Sequence, residues 1–189
     1  RQRGPVMAQE RRRTDGDAMS AQHPKRTTPT TPGVTPAGGE RLSDALQTAL
    51  DLASTGDVHA AAPGGATAHV LLDDMDRLGA EVREIRVRSE VARDIAREAS
   101  TLPGRLDRLL PEPVIPIEVA LPGSGLAEGQ AVLRTPPDRM HDRRYFDLEV
   151  WQTGDAVLRR YRVNASGERE PKTWMMTREQ LGHLVDELT

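Results

Sequence analysis

The chain has 189 residues, a net charge of −3 and only 3% aromatic residues. That leaves room for one ordinary domain, or two small ones with a tail, and excludes the overall basicity of a protein that coats nucleic acid. With no cysteine, disulfides, a thiol nucleophile and thiolate metal sites are excluded, and no apolar run approaches the roughly 20 residues that cross a bilayer.

A cytoplasmic protein is expected, because the charged N-terminus is not followed by the apolar stretch of a secretory signal. Translation is expected to start at Met7 or upstream of Arg1. Lys25 and Lys172 are the only lysines, and with abundant Ala, Gly and Pro this usage fits a high-GC bacterial genome.

Residues 1–40 carry Pro5, Pro24, Pro29, Pro32 and Pro36 among Thr, Gly and Arg, with almost no large apolar side chain. Such a segment buries too little to offset an ordering entropy of roughly 1–2 kcal/mol per residue. A disordered arm is expected. It is basic, since Arg1, Arg3, Arg11, Arg12, Arg13, Lys25 and Arg26 face only Glu10, Asp15 and Asp17.

A helical region is expected over 41–101. Leu42, Ala45, Leu46, Ala49, Leu50 and Ala53 follow the spacing of one helical stripe, giving a helix over about 42–54 that stops near Gly56. Residues 57–66, with Pro63, Gly64 and Gly65, read as a linker. A longer helix over 68–100 follows, capped by Thr67. Leu71, Met75, Leu78, Val82, Ile85, Ser89, Ala92, Ala96 and Ala99 alternate four and three residues apart, which is a heptad seam. Either the first helix folds back over this seam, or Leu71, Met75, Leu78, Val82 and Ile85 form the interface of a coiled-coil homodimer.

Residues 102–130 read as a linker. It contains a short helical turn between prolines, then a stretch over 114–121 that Pro116 restricts to an edge strand or an extended link. The last module, 131–189, is the most legible. Residues 131–135 offer a strand, and 144–152 and 155–163 alternate about Thr153–Gly154 as a β-hairpin. With those two residues as the loop, Phe146, Leu148 and Val150 share the core face with Val157, Arg159 and Tyr161. Tyr145, Trp151, Arg160 and Arg162 then share the polar face with Asp147 and Glu149. Gly167 tips a turn, 172–176 adds a strand, and Thr177 with Gln180 forms a capping box before a helix whose stripe is Leu181, Leu184, Val185 and Leu188. The expected fold class is α+β: disordered arm, helical middle, and an antiparallel β-meander covered by a helix.

Residues 154–188 resemble the single-stranded-DNA-binding core of the transcriptional positive-cofactor-four family. Leu158-Arg159-Arg160-Tyr161, Gly167-Glu168-Arg169-Glu170-Pro171, Lys172, and Thr177-Arg178-Glu179-Gln180-Leu181 stand where that family has its successive motifs. The family's Lys-Lys-Gly is here Lys172 followed by Thr173, and its early helix aromatic is Leu181. The resemblance implies a dimer through the C-terminal helices, with curved sheets cradling single strands.

The residues favour binding over catalysis. Tyr145 and Trp151 are candidate base-stacking platforms, and Arg159, Arg160, Arg162 and Lys172 candidate phosphate contacts. Against this, Asp147 and Glu149 on the same face make ordinary cross-strand ion pairs. His69 and Asp73 stand one helical turn apart, but two ligands are not a metal site. His183 lies between Glu179 and Glu187, and His141 falls in a loop. No nucleophile elbow or phosphate-loop pattern is present, so neither an enzyme nor a cofactor is expected. The reading is a non-enzymatic binding or adaptor protein, whose sharper version is a single-stranded nucleic-acid-binding module. Its alternative is an accessory protein with protein partners only, oligomerising through the long helix.

Overall fold

The structure is a computed structural model, which describes residues 41–53, 55–120, 129–137 and 143–189, with Ala120 as backbone only. The expected arm over 1–40 lies outside the described residues. Among the described residues there are three helices, α1 (Leu42–Leu52), α2 (Ile95–Leu106) and α3 (Arg178–Glu187), together with nine strands. The strands are β1 (Gly56–Ala61), β2 (Thr67–Met75), β3 (Gly79–Arg88), β4 (Ile115–Ala120), β5 (Gln130–Arg134), β6 (Arg144–Trp151), β7 (Asp155–Val163), β8 (Arg169–Lys172) and β9 (Trp174–Thr177). They form one antiparallel sheet in the order β1-β2-β3-β7-β6-β5-β4, with β8 beside β7 and β9 beside β3.

The long heptad helix is absent. Residues 68–88 are instead the hairpin β2–β3, and the longest described helix, α2, has 12 residues. The physical reason lies in β3. Ala80 and Val82 alternate onto the core, as do Ile85 and Val87, but Leu72 faces Val82 while Leu71 faces Glu84. That irregularity in register is a β-bulge. It sets Ile85 three positions after Val82 instead of two, and two alternating runs joined by a bulge imitate heptad spacing. The tight turn was the overlooked signal. The Asp76 carboxylate accepts from the backbone N–H of Leu78 at 2.7 Å and of Gly79 at 2.8 Å, which closes an Asx turn. These bonds hold its carboxyl below the usual value.

The coiled-coil interface falls with the helix. Val82 and Ile85 are fully buried in the chain's own core, Leu78 is 80% exposed in the turn, and Leu71 and Met75 are partly buried. No continuous seam exists for a second copy. The residues read as a linker, 57–66, supply most of β1 and the β1–β2 loop. Pro103, expected to flank a separate turn, lies inside α2.

One core joins the sheet's inner face to all three helices. Helix α1 packs on β1 and α3, α2 on β4 and β5, and α3 on β3 and β9. The Ser43 backbone N–H and hydroxyl donate to Asp186 at 2.9 and 2.7 Å, and Gln47 donates to the Arg178 carbonyl at 2.7 Å. Thr177 and Gln180 close a capping box. Leu181, Leu184, Val185 and Leu188 are fully buried in this core. Phe146 and Trp174 meet edge to face at 5.3 Å in this core. No described helix is long and apolar enough to cross a membrane.

The β6–β7 hairpin differs from expectation by one residue. Val150 faces Ala156, Leu148 faces Leu158 and Tyr145 faces Tyr161. The loop is therefore Gln152-Thr153-Gly154, with Gly154 at φ +98° and its N–H donating to the Trp151 carbonyl at 3.0 Å. A one-residue slip turns every β7 side chain to the other face. Leu158 replaces Arg159 in the core, and Tyr161 joins Tyr145 on the outer side. Residues 172–176 do not form a single strand: β8 continues against β7, and beyond Thr173 the chain crosses to pair β9 with β3.

Candidate functional site: the outer face of the sheet

With the described helices all on the inner side, the outer side of the sheet carries polar residues at alternate positions. A line of ions runs across it. Glu84, 7% exposed, accepts from Arg86 and from Arg159. Arg159 also donates to Glu149 at 3.2 Å, and Glu149 accepts from Gln130 at 3.3 Å. Burial pushes the Glu84 carboxyl up, but hydrogen bonds and charge from Arg86 and Arg159 outweigh it and hold the group below the usual carboxylate value. Burial likewise works against the Arg159 charge, and Glu84 more than restores it.

This gives a pH dependence with a definite sign. A carboxyl lowered by folding contributes stability above its unfolded value and loses that contribution as pH falls. Stability is expected to decline from about pH 4.5 downward, and Glu84→Gln is expected to flatten that part of the curve. Urea melts of both proteins across the acid range check it. Parallel acid limbs would sink the assignment to Glu84.

A second cluster lies beyond the first. Asp147, 4% exposed, accepts from Arg134 at 3.2 and 3.3 Å and from Arg169. Arg134 and Arg169 cover the Tyr145 ring at 4.8 and 5.6 Å, and Arg169 lies 4.3 Å from the Tyr161 centroid. Burial again opposes the Arg169 charge and Asp147 outweighs it. Tyr145, read as a stacking platform, is therefore buried under two guanidinium groups.

Trp151 is placed differently. It is partly exposed at the end of β6 and lines a hollow of about 390 Å³ with Thr67, His69, Arg86, Arg88 and Asp155. Arg88 is exposed and has no ion pair among the described residues. Sequence reasoning missed Arg86 and Arg88 because it wound them into a helix. Alternation in residues 79–88, read in two runs about a bulge, was the signal that marked them.

The sequence-read arginines divide between the two faces. Arg159 joins Trp151 on the outer face. Arg160, Arg162 and Lys172 lie on the other side, where Arg160 faces Lys172 and Arg162 faces Glu170 across β7–β8. Arg162 donates to Glu170 at 2.8 Å, Lys172 stands 3.5 Å from the same carboxylate, and Arg160 lies over the Phe146 ring at 5.2 Å. There a smaller hollow of about 290 Å³ opens between Arg108, Arg160, Phe146, Trp174 and Gln180. Trp151 and Arg160 thus belong to different surfaces, contrary to the expected polar face.

Among the histidines, His69 and Asp73 are no longer a helical turn apart, since both lie on β2. His69 instead faces His59. Burial, and after it the His59 ring, hold the His69 imidazole below its usual value. His183 is 3.8 Å from Glu179 on an exposed helix face. His141 lies outside the described residues.

Comparison with known protein families, curated proteins and solved structures found no match.

Proposed function

We propose that the chain is a non-enzymatic binding protein that receives single-stranded nucleic acid on the outer face of its sheet. Bases stack on Trp151, and phosphates approach Arg86 and Arg88. The observation that carries this reading is the hollow that brings Trp151, Arg86 and Arg88 together. An indole face accepts any base, and flanking guanidinium groups neutralise the backbone. The likeness of residues 154–188 to the positive-cofactor-four core supports the same ligand. The α3 stripe is used up inside the chain's own core, so the proposed binding unit is one chain, not a dimer through that helix.

Fluorescence anisotropy with labelled single-stranded and duplex oligonucleotides at several salt concentrations tests it. Trp151→Ala is expected to weaken single-strand binding by about tenfold to a hundredfold, the loss of roughly 1–3 kcal/mol for one stacked base. Arg88→Ala is expected to lower the salt slope by about one. Unchanged affinity in both variants, with binding lost on removal of residues 1–40, would move the function to the arm.

A second reading, protein partners only, is favoured by a different observation. Glu84, Asp147 and Glu149 already hold Arg86, Arg134, Arg159 and Arg169, which leaves the face little net positive charge. Ile115 and Ile117 are about half exposed on the edge strand β4, a place where a partner strand can add. Under this reading oligonucleotides fail to bind even at low salt.

A further inference from the structure

The hairpin β1–β2 forms one end of the sheet, and three ligating side chains meet on it. His59 and His69 are directly opposed in the register, and Asp57 stands two residues before His59, on the same face. The two imidazole rings stack with centroids 4.1 Å apart and planes 6° from parallel. One ligating atom from each of Asp57, His59 and His69 lies within 4.8 Å of the other two.

A second observation points to a ligand. His69 Nε2 is shut off from water and has no hydrogen-bond partner. The nearest carboxylate oxygen, on Asp57, is 3.9 Å away, beyond hydrogen-bond reach. A water-excluded ring nitrogen without a partner calls for an explanation. An ion held between it and the carboxylate satisfies both.

The geometry points to a binding site for one divalent transition-metal ion of the zinc type at Asp57, His59 and His69. Bonds of about 2.0–2.1 Å in a tetrahedron set ligand atoms roughly 3.3 Å apart. Side-chain rotation would have to close the present spacing, within 4.8 Å, to that value on strands whose pairing fixes the backbone. Two imidazoles and one carboxylate suit zinc, copper(II) or nickel(II) better than calcium or magnesium. Three protein ligands leave the fourth position to water. The neighbouring cation across the sheet is Arg86, which faces His69 from β3, and Glu84 offsets its charge. The site shares His69 with the lining of the Trp151 hollow, but it rests on its ligands alone and not on what that hollow binds. Without a metal, the two histidines would be an ordinary stacked cross-strand pair.

The test uses the full chain without an affinity tag. Isothermal titration with zinc chloride in a weakly coordinating buffer is expected to show one saturable site per chain. Excess zinc is expected to raise the melting temperature by several degrees, since an ion that binds only the folded state stabilises it by mass action. His59→Ala and His69→Ala should each weaken zinc binding by roughly tenfold or more, as expected for loss of a ligand. Asp57→Asn should weaken it less, and His183→Ala not at all. The metal-free variants should keep the parent circular dichroism; if either alanine variant unfolds, His59→Gln and His69→Gln replace them. Tetrahedral absorption bands on cobalt(II) addition, absent in the double variant, give an independent readout. No saturable zinc site, or one that survives loss of both histidines, overturns the assignment.

Discussion

Gly154→Ala is expected to destabilise the chain by about 3 kcal/mol or more, because two penalties add at one position. Gly154 has φ +98°, a conformation that an L side chain adopts only with strain. It is also pressed against the chain. An added methyl would fall within the contact radius of the Ser89 carbonyl oxygen and 3.0 Å from that of Val91. Those atoms are backbone, and they cannot swing aside. Ser89 N–H donates to the Gly154 carbonyl at 3.0 Å and Arg93 N–H to that of Gln152 at 2.9 Å. Any shift that relieves the methyl breaks the link between the end of β3 and the β6–β7 loop. Gly167→Ala is the control. Its φ is +89° but nothing lies within 4 Å, so the conformational part alone remains, about 1 kcal/mol. Denaturant melts of the two variants separate the terms. Equal losses would show that the contact with Ser89 carries no weight.

The same loop explains how much of the fold could be read in advance. Alternation in residues 144–163 identified two paired strands, and Thr177 with Gln180 marked the start of the last helix, because both signals are local. Register is not local. A loop of two residues or three changes which β7 residues face the core, and only the packing of Leu158 against the inner face decides it. The middle of the chain failed for a related reason. A bulge at Arg83–Glu84 shifts the alternating pattern by one residue, and a single interruption turned two strands into an apparent heptad. Both errors moved site residues. A two-residue loop puts Arg160 and Arg162 beside Trp151, but they belong to the opposite face, while a heptad reading puts Arg86 and Arg88 on a helix, but they belong beside Trp151. The histidine pair was hidden likewise, since Asp57 and His59 lay in a segment read as a link. Residues that meet only through pairing cannot be recognised before the pairing is known.

Arg93 shows what holds these parts together. It is 8% exposed, and its guanidinium donates to the Gly154 carbonyl from Nε at 3.2 Å and Nη2 at 3.1 Å. The same side chain donates to the Leu188 carbonyl at the C-terminal end of α3 and stands 3.6 Å from Glu98 in α2. One cation thus ties the β6–β7 loop, α3 and α2. Burial works against the charge, and so does Arg105 nearby, while Glu98 favours it. Removing Arg93 takes the side-chain donor from the Leu188 carbonyl and leaves the Gly154 carbonyl with Ser89 N–H and Glu98 with Arg105, besides emptying a buried volume. Arg93→Ala is expected to lower stability by about 2–4 kcal/mol. Arg93→Met, which keeps the volume and sheds the cost of burying a charge, should lose less. Arg93→Lys should not restore the parent, since one ammonium cannot present the planar fork that reaches both carbonyls. Arg93 and Gly154 share a hydrogen bond, so their losses should not add. The double variant Gly154→Ala/Arg93→Ala is expected to fall short of the sum by more than about 0.5 kcal/mol. Strict additivity in that cycle would mean that the loop and the C-terminal end of α3 are held independently, and that Arg93 does not join them.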